Sequence, residues 1–172
     1  MTTPDKLATL AALALLLVSG AADARSSDRQ QPMDIDGGAM DYSVDDNRPT
    51  IVSGGVTITQ GSLRIQAARA EISMRGGDPS RALLTGSPVR LNQQLDNGTP
   101  MSAVASRVDY DLTSETVVFT GSVSITQPRG SLSGARVVYN MRTGQVSSGS
   151  GGAEPGGRVK MRILPRGAAG AN

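Results

Sequence analysis

Two pairs of carboxylates, Asp34 with Asp36 and Asp109 with Asp111, are the residues of this chain whose spacing could do chemistry. Residues two apart on a strand point the same way. Either pair could therefore put two carboxyl groups on one face, the minimum that glycoside hydrolysis requires of an acid and a base. The rest of the sequence gives that reaction no support. It contains no His and no Cys, which removes the usual general base, the thiolate nucleophile and most transition-metal ligation. Asp45-Asp46-Asn47 has the composition of a calcium loop but lacks the alternating ligands and distal Glu that close one, and it reads as a turn. Gly54, Gly86 and Gly121 do not read as phosphate-cradling glycines, because such loops lead into a helix N-terminus and no helical pattern follows them. The expectation is a protein that is not an enzyme and has neither metal nor cofactor.

The elements that carry these residues are strands. Strict apolar/polar alternation runs through Met33-Asp34-Ile35-Asp36, Val56-Thr57-Ile58-Thr59, Leu63-Arg64-Ile65-Gln66, Ala70 to Met74, Val89 to Asn92, Val108 to Leu112, Val123 to Thr126 and Val159 to Ile163. Each such run predicts a half-buried strand. Gly37-Gly38, Asp45-Asp46-Asn47, Gly76-Gly77-Asp78-Pro79, Asp96-Asn97-Gly98 and Thr113-Ser114-Glu115 punctuate them as turns, so the fold class is all-β. At the start, Lys6 precedes an apolar run from Leu7 to Val18, and Ala22-Asp23-Ala24 offers small residues to a signal peptidase. This reads as an export signal cleaved after Ala24; the run is too short to span a bilayer, which takes about 20 apolar residues. Removing Asp5, Lys6 and Asp23 from 17 basic and 15 acidic side chains leaves 16 and 13, a mild excess. With three Tyr, one Phe and no Trp there is little to stack on bases, so no nucleic acid is expected as a partner.

One phrase occurs twice. Ile51-Val-Ser-Gly-Gly-Val-Thr-Ile-Thr-Gln60 is matched by Val118-Phe-Thr-Gly-Ser-Val-Ser-Ile-Thr-Gln127, and Thr85-Gly86-Ser87-Pro88-Val89 is a weaker copy with one residue added. Repetition of this kind marks stacked units. The glycines interrupt strand patterns where a bulge or bend is needed. Parity puts Val52, Val56 and Ile58 of the first copy inward, with Val117, Phe119, Val123 and Ile125 of the second. These are mostly medium-sized aliphatics, and an interior so poor in bulky rings has room for acyl chains. The predicted architecture is an elongated sandwich or jelly roll whose ends are open sheet edges. The first edge carries Asp34 and Asp36 and the last carries Arg158, Lys160 and Arg162. Unpaired edges recruit other strands, and opposite charges would favour head-to-tail pairing of one molecule with the next.

Gln31-Pro32-Met33-Asp34-Ile35 after a signal, Gly54 through Ile65, Tyr110 through Gly121, and Gly130-Ser-Leu-Ser-Gly-Ala-Arg136 together resemble the OstA-like family. The resemblance covers roughly residues 31 to 165. It implies a twisted β-jelly roll, V-shaped in section, over residues 32–165, after a signal at 1–24 and a flexible start at 25–31, with a flexible tail at 166–172. It also implies a periplasmic protein that shields the lipid A acyl chains of lipopolysaccharide. Its partners would be an inner-membrane bitopic OstA-like protein at the N-terminal edge, an outer-membrane β-barrel protein at the C-terminal edge, and further copies of itself. Lipid contact would fall on Met33, Ile35, Leu91, Tyr110 and Leu112, with Val56, Ile58, Val123 and Ile125 behind them. Charge at Ile35 or Tyr110 is then expected to abolish transport and spare the fold. A membrane-anchored sister component of the same bridge, or an adhesive β-solenoid without lipid cargo, would share these patterns.

Overall fold

Alternating sequences pair because each strand can bury one face only against the same face of its neighbours. The computed structural model describes residues 28–95, 97–148 and 158–165; the predicted signal, most of the Gly/Ser-rich stretch after Ser147 and the predicted tail from 166 lie outside them. A 3-10 turn, Asp28–Gln30, precedes ten strands: β1 (Asp34–Asp36), β2 (Ala39–Asp41), β3 (Thr50–Gln60), β4 (Leu63–Arg75), β5 (Asp78–Gln94), β6 (Pro100–Asp111), β7 (Thr116–Gln127), β8 (Gly130–Asn140), β9 (Gln145–Ser148) and β10 (Lys160–Ile163). All the pairings are antiparallel and form one sheet in the order β1-β3-β4-β5-β6-β7-β8-β10, with β2 also on β3 and β9 also on β8.

The register slips in the middle of every long pair: between Ser53 and Val56, Gln66 and Arg69, Thr85 and Val89, Val104 and Arg107, and Thr120 and Val123, with one further slip between Ser73 and Met74 near the end of the β4–β5 pair. The central irregularities form a line across the sheet, and a bulge bends its strand. The two copies of the repeated phrase supply two of them with the same backbone: Gly54 and Gly55 have φ of 78° and 86°, Gly121 and Ser122 have 80° and 49°. The weaker copy supplies a third, with three residues, 86–88, between its paired positions where β7 has two.

Bent along this line, the sheet covers itself. Its inward side chains are buried although no α-helix exists among the described residues to cover them. One layer holds β2, residues 50–53, 69–75, 78–85, 107–111, 116–120 and 136–140, and β9; the other holds β1, residues 56–60, 63–67, 89–94, 100–105, 123–127 and 130–134, and β10. Both layers therefore begin near the N-terminus and end near the C-terminus. Their free rims are the turns opposite the bend, at 76–77, 112–115 and 141–144 in the first layer and at 61–62, 95–99 and 128–129 in the second.

Gly121 shows what the bend demands. A Cβ there would lie 2.8 Å from Ser106 Oγ, on a backbone with φ of +80°. Gly121→Val is expected to cost about 2–3 kcal/mol, since a β-branched residue in the left-handed region is strained. The thermal midpoint should fall by roughly 10 °C; an unchanged midpoint in calorimetry would show that the bend tolerates a side chain.

Three local readings change. The last strand was expected to be half-buried, but Lys160–Ile163 is exposed throughout, because among the described residues it pairs with β8 alone and no strand covers its inner face. Arg158 precedes that strand instead of belonging to it. Within the start expected to be flexible, 25–31, Asp28–Gln30 forms the 3-10 turn, and Asp28, Arg29 and Gln31 are tied to the rims of both layers; residues 25–27 lie outside the described residues.

Candidate functional site

Alternation decides which side chains face inward, and register decides which of them meet. In the second layer, Ile35 is paired with Ile58, Ile58 with Ile65, Ile65 with Leu91, Leu91 with Ala103, Ala103 with Ile125, Ile125 with Leu132 and Leu132 with Met161. These eight residues make one apolar row from edge to edge, about 34 Å long at the usual strand spacing. The first layer carries its counterpart, Met40, Val52, Ala70, Leu84, Val108, Phe119 and Val137. Beside it runs a second row through Thr50, Ile72, Ala82, Tyr110, Val117, Tyr139 and Val146. Nearer the bend lie Val56, Val89 and Val123.

Of the residues singled out for lipid contact, Ile35, Ile58, Leu91 and Ile125 thus share one row, Tyr110 lies in the opposite layer, and Val56 and Val123 sit by the bend. Met33, Ile35 and Leu112 are half-buried at the margins of the core. The interior between the layers is closed by its own side chains: Val56, Ile58, Leu91, Tyr110, Val123 and Ile125 are all 4% exposed or less. The open trough expected from the scarcity of aromatics is instead filled by aliphatics from both layers. Space remains at the two ends. One pocket of about 180 Å³ lies between Ile35, Met40, Val52, Ile72 and Met74 at the N-terminal end. Another of about 400 Å³ lies between Ile125, Leu132, Val146, Met161 and Ile163 at the C-terminal end. Burial also separates two positions the sequence treated alike: Ile35 is half-buried at an edge, whereas Tyr110 is 3% exposed, so charge is expected to disturb folding at Tyr110 and not at Ile35.

Tyr110 is the core's most instructive polar group. Burial raises its phenol above the ordinary value of 10.0, and Glu115 adds to the rise while Arg29 opposes it. It remains neutral at physiological pH. Arg29 and Glu115 form an ion pair at 3.3 Å near it, with side chains 20% and 27% exposed. No sequence pattern marked this pair, because its members lie on the initial turn and on a hairpin far away in the chain. Ile65, Ala103, Leu132 and Met161 were likewise missed as members of a row, although their apolar character was visible.

The carboxylate pairs are accounted for locally. Asp109 accepts hydrogen bonds from Arg81, one of them 2.7 Å from Nε, in an ion pair on the outer face. Asp111 accepts the Ser114 N–H at 2.9 Å, which holds its carboxyl below the ordinary range. Asp45 does the same with the Asn47 N–H at 2.9 Å, closing the turn expected there. Asp34 and Asp36 are exposed on β1, and Lys160 and Arg162 are exposed on β10. Among the described residues no three acidic side chains gather to hold a metal ion.

A sheet folded over an apolar interior, with rows of inward side chains ending in pockets at both open edges, defines a class of β-jelly-roll binding proteins. The chain belongs to the family described as LptA/(LptD N-terminal domain) LPS transport protein, which matches residues 35–145. Its relatives include the lipopolysaccharide export system protein LptA of Escherichia coli K12, 28% identical over 156 residues that cover 90% of this chain and 82% of that one. The protein of the same name from Haemophilus influenzae is 29% identical over 154 residues, covering 88% and 87%. The crystal structure of LptH from Pseudomonas aeruginosa, described as the LptA-homologous periplasmic component of a lipopolysaccharide transport device, superposes with a TM-score of 0.71. At 23% identity, over 81% of this chain and 99% of LptH, that likeness establishes the fold.

Proposed function

We propose that this protein carries lipopolysaccharide across the periplasm, holding the lipid A acyl chains between its two layers and acting as a carrier without catalysis. The observation that carries the reading is the row from Ile35 to Met161, apolar at every position and reaching both open edges of one layer. Gln93 adds a polar contact point: it is 7% exposed and its Oε1 has no partner among the described residues, so it could accept a hydrogen bond from a hydroxyl or amide of the lipid.

The edges support end-to-end assembly. β1 runs from the rim toward the bend and β10 from the bend toward the rim, so stacked copies would meet antiparallel and the row would pass from Met161 of one into Ile35 of the next. Main-chain hydrogen bonds would supply the contact, and Asp34 and Asp36 would face Lys160 and Arg162. By the same mechanism β1 would receive an inner-membrane bitopic partner and β10 an outer-membrane β-barrel partner. The export signal cleaved after Ala24 belongs to this reading.

The test is binding of fluorescent lipopolysaccharide to the purified mature chain. Saturable binding, together with photo-crosslinks from Ile35 or Leu91 to the lipid, is expected. Absence of any adduct from inward positions, with end-to-end assembly retained, would instead identify an adhesive β-solenoid.

A further inference from the structure

We propose that Asp28–Gln31 is a strap that holds the two layers shut over their packed interior, and that an amphiphile enters by displacing it; this rests on the carrier reading above. A single 3-10 turn has little stability of its own, so the position of this one comes from what it touches. On the rim of the second layer, the Asp28 carboxylate accepts the Ser62 N–H at 3.0 Å and also the Ser62 hydroxyl. The Gln60 amide donates to the carbonyls of Arg29 and Gln31 at 3.3 and 3.1 Å. On the rim of the first layer, the Arg29 guanidinium donates to the Met141 carbonyl at 3.3 Å and pairs with Glu115. Those two receivers are themselves joined, since the Met141 N–H donates to the Glu115 carbonyl at 2.9 Å. Four consecutive residues thus tie a hairpin of one layer to two hairpins of the other.

The tie lies beside the interior. Tyr110 and Met141 are 3% and 4% exposed, and Met33, which follows the strap, packs on the same core as Leu112. With the interior filled, acyl chains can enter only if the layers part, and layers joined by this strap cannot part. The two attachments differ in strength. The side at Ser62 has a carboxylate accepting two hydrogen bonds. The side at Glu115 has one long hydrogen bond, from Arg29 to the Met141 carbonyl, and a partly exposed ion pair in which the Glu115 oxygen nearest Arg29 makes no aligned hydrogen bond. Partly exposed pairs contribute little, so the bonds at Ser62 are what hold the strap, and it is displaced when they give way.

The chain has no cysteine, so Asp28→Cys with Ser62→Cys introduces one possible disulfide at side chains that touch. Pinned in this way, the short loop from residue 28 to β1 keeps Arg29 against Glu115. Uptake of the apolar dye N-phenyl-1-naphthylamine and of fluorescent lipopolysaccharide would be timed in the oxidised and reduced forms. The oxidised form is expected to load about tenfold more slowly, with dithiothreitol restoring the rate, as for any local opening that has been blocked. Arg29→Ala, which needs no disulfide, is expected to load about threefold faster. Equal dye rates in the oxidised and reduced forms, or an unaltered rate in Arg29→Ala, would overturn the strap. Dye kinetics that follow these expectations while lipopolysaccharide fails to bind the reduced form would uphold the strap and overturn the carrier reading.

Discussion

Tyr110→Asp is expected to unfold the protein at 25 °C, while Ile35→Asp is expected to leave it folded and unable to bind lipopolysaccharide. Both positions face inward, and burial decides between the outcomes. Tyr110 is 3% exposed, between Ala82 and Val117 in its row. A carboxylate there has no cation within its row, the nearby Arg29 is already paired with Glu115, and a buried charge without its own partner costs several kcal/mol in addition to the lost aromatic burial. Against a total stability of about 5–15 kcal/mol, that is enough to unfold the domain. Ile35 lies on a three-residue edge strand and lines the N-terminal pocket, where water can reach a new charge. Its substitution should lower stability by about 1 kcal/mol and interrupt the apolar row at its entrance. Far-ultraviolet circular dichroism and lipid titration on both variants provide the check. A folded Tyr110→Asp protein would mean that the layers part easily at that end, and full binding by Ile35→Asp would remove the row from the function.

Phe119→Ala is expected to cost about 3–5 kcal/mol, the usual range for deleting a buried ring. Phe119 is the chain's one phenylalanine, and it is fully buried between Val108 and Val137 near the bend. Its neighbours in the row are valines and leucines already in contact, so they cannot collapse into the space a lost ring leaves. Urea unfolding should show a lower midpoint with an unchanged slope. Val118→Ala, one residue along and facing outward, is the control and should change stability by less than about 1 kcal/mol. Equal losses at both positions would mean that residue 119 does not organise the interior.

Much of this architecture was legible in the residues. The alternation at Val56 to Thr59 and Val123 to Thr126 marked strands and their inward faces, because side-chain direction along a strand is a local property of the backbone. The glycines of the repeated phrase marked the bend for the same reason: a left-handed backbone at Gly54 and Gly121 is a demand made by one residue. The flanking turns, at Asp45-Asp46-Asn47 and Thr113-Ser114-Glu115, were equally local. The last strand misled, since Val159 to Ile163 alternates as well as any other, but burial requires a covering neighbour and β10 has none over its inner face among the described residues.

Register belongs to pairs of strands, and no single strand contains it. That Ile35, Leu91 and Met161 fall on one line, that β1 and β10 end the same layer, and that Arg29 reaches Glu115 are consequences of slips at five bulged pairs added together across the sheet. The sequence by itself determined an all-β chain with bends, an aliphatic inner face and oppositely charged ends. Only the tertiary structure decided that this inner face is closed and its layers tied together, because closure depends on contacts between residues as far apart as Arg29 and Met141, which only folding brings together.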